Sequence, residues 1–168
     1  MDKKTAIKFL SENQPMPNDN LLTKEIIDTY YEVLVYAKNN PDNEFIPLIL
    51  NSFGEWDGLG VYQTVEDAIL NFDKNNVVEV LKHSLQSSYS SIKYWCAQIS
   101  GAFHDDSLID SLTKLVKDEN ADIRISAYIS LSNYSDNVFV SSLLRHRLEE
   151  DDDPEAQEIL SQIVNDFS

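Results

Sequence analysis

The chain has 168 residues, of which 42% are hydrophobic, and 29 acidic against 13 basic residues give it a net charge of −16. Its apolar fraction argues against disorder, and its length suits one domain or one short repeat array with its own core. The negative charge would repel nucleic acid and anionic membranes and would attract a basic protein. The simpler interpretation is that the acidic residues keep the protein soluble.

The residue counts also limit the chemistry. A single cysteine excludes an internal disulfide and a zinc site built from cysteines. No apolar run approaches the length of a membrane span, and the amphipathic first residues lack the apolar segment of a signal peptide. We therefore expect a cytoplasmic protein, with a monomer favoured.

The first 53 residues are predicted to form a helical cap. Only four glycines and five prolines occur in the whole chain, which favours long helices over many short strands. Two prolines within residues 14–18 end the first helix, and Asp19 or Asn20 is expected to cap the second. The predicted helices cover residues 6–10, 22–37 and 45–53.

A loop over residues 54–60 holds three of the four glycines. It lacks the Lys-Ser/Thr pair of a phosphate-binding loop and follows no predicted strand, so we interpret it as a joint between two helical halves. Trp56 lies in this loop between Glu55 and Asp57 and has no periodic apolar neighbours. It is either an exposed anchor for a partner or a side chain folded back over the joint.

After Gly60 the sequence repeats itself. Sets of four mainly apolar residues at i, i+4, i+8 and i+11, the spacing of one helix face, recur twice after 31 residues and once after 33. The sets begin at Val61, Ile92, Ile123 and Ala156. Second helices are predicted near Val77, Leu108 and Phe139, each after a link rich in Asp, Asn or Ser that suits helix capping.

This pattern divides the chain into a cap over residues 1–53 and repeats over residues 54–168, in one continuous domain. A single helical pair cannot bury its apolar face alone and must stack on its neighbours. The predicted repeats cover about 61–89, 90–120 and 121–153, followed by a terminal helix over 154–167.

The repeat unit resembles a HEAT repeat of the short bacterial kind. The best match is the run Asp118-Glu119-Asn120-Ala121-Asp122-Ile123-Arg124, followed by Ala127 and Leu131 on the next turns. The resemblance implies an all-α fold: a HEAT-like α-solenoid of stacked antiparallel helical hairpins with an N-terminal helical cap. It also implies a structural Arg124 that pairs with an Asp of the adjoining turn. The segment around Trp56 is similar to small bacterial HEAT-like proteins among toxin-immunity and uncharacterised families.

No catalytic, cofactor-binding or metal-binding residue is predicted, and the protein is expected not to be an enzyme. The three histidines form no His-Glu-x-x-His pair, and no nucleophile motif is present. His104, Asp105 and Asp106 could in principle bind a metal, but the repeat register places them in a capping turn. Cys96 and Trp95 fall on the apolar face and are interpreted as core residues.

The second helices line the concave side of HEAT-like stacks, which is where such scaffolds usually bind partners. A basic column with 31-residue spacing is predicted there, formed by His83, Lys114 and Arg145. One interpretation is simple pairing within each helix, Glu79 with His83 and Asp110 with Lys114. The other is a groove of both charge signs with acidic rims.

Two classes of function follow. The first is a protein-interaction module, an adaptor, regulator or immunity-type inhibitor that masks a basic protein partner. The alternative is a HEAT-like enzyme or nucleic-acid-binding protein of the DNA-glycosylase-like kind, which would need a basic concave face. The predicted partner-binding residues are Glu55, Trp56, Asp57, His83, Asp105, Asp106, Asp110, Lys114 and Arg145.

Overall fold

A computed structural model describes residues 1–167, and helices are the only regular elements in that part of the chain. The α-helices are α1 Lys3–Glu12, α2 Lys24–Asn39, α3 Phe45–Leu50, α4 Gln63–Ile69, α5 Lys74–Ser84, α6 Ser90–Ser100, α7 Ile109–Leu115, α8 Ala121–Ser132, α9 Val138–Glu150 and α10 Pro154–Asp166. Short 3-10 turns cover Asp19–Leu21, Gly58–Gly60 and Asp106–Leu108. The predicted all-α class is confirmed.

The chain divides into two compact units, with the boundary between Ile92 and Lys93 inside α6. Two helices lie within each of the ranges 61–89, 90–120 and 121–153, and α10 lies within 154–167. The division into a cap over 1–53 and repeats from 54 onwards stays a prediction, and its last residue, Ser168, lies outside the described residues.

In the N-terminal unit, α1 packs on α2 and α3, α2 packs on α4, and α3 packs on α5. Three buried aromatic rings meet edge to face at the centre of this unit: Tyr62 lies 6.0 Å from Tyr30 and 5.4 Å from Phe53. Their polar atoms are satisfied, because the Tyr30 and Ser52 hydroxyls are 2.6 Å apart and the Tyr62 hydroxyl accepts from the Gly54 amide at 2.9 Å.

Two predicted helix ends in this unit are wrong. Asp19 and Asn20 do not cap α2, because they lie in a separate 3-10 turn, and Thr23 accepts from the Ile26 amide instead. The third helix ends at Leu50 and does not continue to residue 53. It ends early because Asn51 and Ser52 turn their side chains back onto carbonyl oxygens of the helix.

In the C-terminal unit, α8 is the most enclosed helix and packs on α7, α9 and α10. Eight of its twelve residues are buried, although an amphipathic helix would bury about half. Small residues allow close packing on α6: the Ser130 hydroxyl donates to the Ala97 carbonyl, and a Cβ on Gly101 would lie 3.2 Å from the Ser130 oxygen.

Two of the three predicted capping links are confirmed, and the middle link caps a 3-10 turn before α7 because α7 itself begins at Ile109 without a side-chain cap. Asp73 accepts from the Asn76 amide at 3.1 Å and caps α5. Asp105 accepts from the Ser107 amide at 3.1 Å at the turn that leads into α7. Asn137 accepts from the amides of residues 139 and 140, at 3.0 and 3.3 Å, and caps α9. Each side chain satisfies amide groups that the first turn of a helix leaves without partners.

Asn137→Ala should lower the free energy of unfolding by about 1 kcal/mol, because two amides at the start of α9 lose their side-chain acceptor. Asp136→Ala is the matched control, since Asp136 is the exposed neighbour in the same link and caps nothing. Urea unfolding of both variants measures the difference, and equal losses of stability would show that the cap contributes nothing.

Candidate partner-binding surfaces and the buried ion network

Two contacts with the N-terminal unit hold the glycine loop over residues 54–60 in place. The Asp19 carboxylate accepts from the amides of Gly58 and Leu59, at 3.1 and 3.4 Å. Gly58 lies against the Tyr62 ring, where an added Cβ would come within 2.8 Å of a ring carbon. The loop therefore needs glycine at this position and has a defined conformation.

Two non-glycine residues of the loop have left-handed backbones, Trp56 at φ 70° and Leu59 at φ 53°. Such a conformation is unfavourable for residues of this kind and persists only where the surroundings enforce it. Its effect is to place apolar side chains in solvent: Trp56 is 77% exposed and Leu59 is 59% exposed. The acidic neighbours Glu55 and Asp57 are exposed as well.

The structure thus favours the exposed form of Trp56 over a side chain folded back on the joint. Leu21 is also exposed and lies in the same short turn as Asp19, the residue that holds the loop. Sequence patterns did not mark Leu21 or Leu59, because an isolated apolar residue outside a helical period carries no such signal. Whether these side chains bind a partner stays a prediction.

The remaining predicted partner-binding residues lie on or before the second helices. His83 is exposed on α5 in the N-terminal unit. In the C-terminal unit, Asp105 is half-buried in its capping turn, and the other four are exposed: Asp106, Asp110, Lys114 and Arg145. Their arrangement as one basic column with acidic rims stays a prediction.

The interpretation of these residues as pairs within each helix is correct in one case and wrong in the other. Lys114 lies 2.7 Å from Asp110, as predicted. Glu79 pairs with Lys82 at 2.5 Å, and His83 makes no ion pair within residues 1–167. A lysine three positions away competes better than a histidine, because it is charged at neutral pH and its side chain is long and flexible.

A buried ion network joins α8 to the turn between α9 and α10. Arg124 donates through Nε and Nη2 to both oxygens of Asp151, at 2.9 and 2.7 Å. Its Nη1 donates to the carbonyls of Asp118 and Glu119 at 3.0 and 3.2 Å. This two-pronged geometry uses the planar guanidinium in a way that a lysine could not match.

Tyr128 and Arg147 complete the hydrogen bonding of this network. The Tyr128 hydroxyl donates to Asp151 at 2.5 Å and accepts from Arg147 Nε at 3.3 Å. Burial raises the pKa of Tyr128 to about 12, so the hydroxyl keeps its proton. Burial alone would raise the pKa of Asp151, but hydrogen bonds from Arg124 and Tyr128 hold it well below its usual value. The pair has a structural role, as predicted for Arg124.

A simpler ion pair occupies the equivalent position one repeat earlier. Lys93, 31 residues before Arg124, forms an ion pair with Asp118, and both side chains are largely buried. Asp151 follows Asp118 by 33 residues, which is the spacing of the last repeat step. Once the structure has shown the Lys93–Asp118 pair, this spacing points to Asp151 as the partner of Arg124, whereas the sequence alone left that partner open.

Comparison with known families supports the same repeat. A family model described as HEAT repeats matches residues 77–163, which is more than half of the chain. The protein belongs to the HEAT-repeat family. No curated protein matches the chain.

Residues 1–167 contain no group of three or more His, Cys, Asp and Glu side chains arranged to hold a metal ion. Within those residues no helix combines the length and the apolar character that crossing a membrane requires.

Asp151→Asn should lower the free energy of unfolding by about 3–5 kcal/mol, because Arg124 would remain buried without its counter-ion. Asp152→Asn is the matched control: the Asp152 side chain is fully exposed and lies 3.7 Å from Arg124. We expect the control to change stability by less than about 0.5 kcal/mol in the same denaturant titration. Comparable losses in the two variants would contradict a stabilising role for the buried pair.

The pH dependence of this effect follows from the low pKa of Asp151. The stabilisation is complete above the unfolded-state pKa of about 4 and declines as the pH falls from there towards the lower folded-state pKa. The advantage of the wild type over Asp151→Asn should therefore shrink on acidification below about pH 4. An advantage that stays constant on acidification would rule out this linkage.

Proposed function

We propose that this HEAT-repeat protein is a non-catalytic protein-interaction module that binds a basic protein partner, with Trp56 as the anchor. The observation that carries the proposal is the 77% exposure of Trp56 on a loop that the Asp19 carboxylate and the Tyr62 ring hold in place. Buried tryptophans at the centre of an interface are among the side chains that contribute most to binding.

The loop is well suited to such a role. Its conformation is set before binding, so less conformational freedom is lost when a partner covers it. Glu55 and Asp57, the neighbours of Trp56 in the sequence, are both exposed, and their carboxylates suit Lys and Arg side chains at the rim of an interface. The net charge of −16 would speed the encounter with a basic protein.

A second set of contacts is proposed on the C-terminal unit. Asp106 and Asp110 would attract the basic partner, while Lys114 and Arg145 would receive one of its carboxylates. Arg145 is exposed and makes no ion pair within residues 1–167. It would therefore bind the partner's carboxylate without first giving up another ion pair. Lys114 would first have to leave Asp110, which lies 2.7 Å away on an exposed helix face, where such pairs are weak. His83 is proposed as a further contact on α5.

The proposed biological role is to mask a basic partner, as an adaptor, regulator or immunity-type inhibitor of the short bacterial HEAT kind. A cytoplasmic location and a monomeric state are part of this proposal. Binding of DNA at physiological salt, with affinity that falls steeply as salt rises, would instead favour the nucleic-acid-binding alternative.

The test of the anchor begins with a photo-reactive amino acid placed at position 56, and at position 89 as a control. Tyr89 is an exposed aromatic residue of the same unit, at 52%. Cross-linking to a basic protein from position 56 and not from position 89 supports the proposal. Trp56→Ala should then weaken binding of that protein by about 1–3 kcal/mol in calorimetry, while Tyr89→Ala has no effect. A Trp56→Ala variant that folds normally and binds like the wild type would refute the anchor.

Charge reversal at Asp106 should slow association more than it speeds dissociation, because rim charges act mainly on the encounter. Asp105 is less suitable for this test, since its carboxylate caps the following turn. Asp136→Lys gives the same charge change in the equivalent link of the next repeat, outside the proposed surface. Surface plasmon resonance at low and high salt measures both rates, and identical rates for the two variants would remove Asp106 from the surface.

A further inference from the structure

A depression of about 490 Å³ lies on the N-terminal unit, between Met1 and one face of α2. It is separate in sequence from the Trp56 loop and includes none of the predicted partner-binding residues. The residues on its α2 wall are Tyr31, Glu32, Val35, Tyr36 and Asn39, with Asn40 directly after the helix. We call this depression the α2 groove.

The α2 groove exposes apolar surface. Tyr31 is 52% exposed and Val35, one helical turn later, is 39% exposed. The ring of Tyr36 is held in place by edge-to-face packing on Phe45, with the ring centres 6.1 Å apart. The groove therefore offers two aromatic rings and an aliphatic side chain, one ring being fixed by the core.

The polar groups of the α2 groove are mainly hydrogen-bond acceptors. The side-chain amides of Asn39 and Asn40 donate to the helix carbonyls of Val35 and Tyr36, at 2.9 and 3.0 Å. Their amide oxygens are thus left to accept from a ligand. Glu32 is exposed and forms no ion pair within residues 1–167, so its carboxylate adds a negative charge.

No lysine or arginine side chain of the described residues lines the α2 groove. Two lysines that are near it in sequence are paired with acids, since Lys38 lies 2.6 Å from Asp67 and Lys3 lies 2.5 Å from Asp42. Lys4 is exposed and does not line the groove. The groove therefore combines aromatic faces, acceptor oxygens and one uncompensated carboxylate in a strongly acidic protein. This combination complements a cation that is flat and carries several donors.

We propose that the α2 groove binds an arginine side chain from a basic segment of a partner protein. The guanidinium would donate to Glu32 and to the amide oxygens of Asn39 or Asn40, and it would stack on Tyr31 or Tyr36. Its methylene groups would cover Val35. Arginine fits better than lysine, because its planar head stacks on rings and directs five donors to separate acceptors. The inference rests on the proposed function only in taking the partner to be a basic protein.

The direct test uses the ¹⁵N-labelled full chain and three capped pentapeptides, Gly-Gly-Xaa-Gly-Gly, in which Xaa is arginine, lysine or citrulline. Citrulline keeps the shape of arginine and removes its charge. The arginine peptide should shift the amide signals of residues 31–40, bind several-fold more tightly than the lysine peptide, and leave signals of the Trp56 loop unchanged. The citrulline peptide should give no shift at about 10 mM, since the remaining neutral contacts are too weak for measurable affinity.

Two matched pairs of variants locate the site. Glu32→Gln should weaken the arginine peptide about fivefold or more, whereas Glu25→Gln, which removes an exposed carboxylate of α2 outside the groove, should not. Tyr31→Leu should weaken it about two- to fivefold, and Tyr89→Leu should not, although both tyrosines are 52% exposed.

Three results would overturn the α2 groove as an arginine site: equal binding of the arginine and citrulline peptides, equal effects of the two glutamate variants, or amide shifts that occur only away from Met1 and residues 31–40. Tight binding of the lysine peptide would overturn the stacked geometry. Each of these results leaves the cross-linking test at Trp56 intact, because that test involves neither Tyr31 nor Glu32. Conversely, Trp56→Ala should not change binding of the arginine peptide.

Discussion

The main constraint on this protein is that its helices are too short to be stable alone. They range from 6 to 16 residues, and isolated helices of that length are marginal in water. Each must therefore bury an apolar face against neighbouring helices, as α1, α2 and α3 do in one unit and α7 to α10 do in the other. The extreme case is α8, which neighbours enclose so completely that even Arg124 and two serines are buried.

Burying α8 creates an electrostatic problem, which the repeat solves with fixed pairs. Arg124 is matched by Asp151, and Lys93, one repeat earlier, is matched by Asp118. Each acid comes from a turn between helices, so the pair connects the first turn of one helix to the turn before the next hairpin. A charge left unpaired there would cost several kcal/mol, and this cost ties the order of the turns to the packing of the helices.

The surfaces proposed for binding are the places where this packing leaves apolar side chains in solvent. In the Trp56 loop, two residues with left-handed backbones expose their apolar side chains. The Asp19 carboxylate and the Tyr62 ring hold the loop in this conformation through Gly58. The α2 groove has a different origin, since one face of α2 faces the core while Tyr31 and Val35 on another face stay exposed. Exposed apolar groups edged by carboxylates have the same chemistry at both surfaces.

The sequence by itself determined the helical class, the 31-residue period and the capping links, because each depends on spacing or on bonds between residues close in the chain. It also determined that Arg124 is structural, through the resemblance of its repeat. Only the tertiary structure decided that Asp151 is its partner, that Glu79 turns to Lys82, and that Asp19 supports the Trp56 loop and not α2. The α2 groove and the exposure of Trp56 were likewise decided there. Contacts between residues far apart in the chain depend on how the helices pack, and helical periodicity alone does not specify that packing.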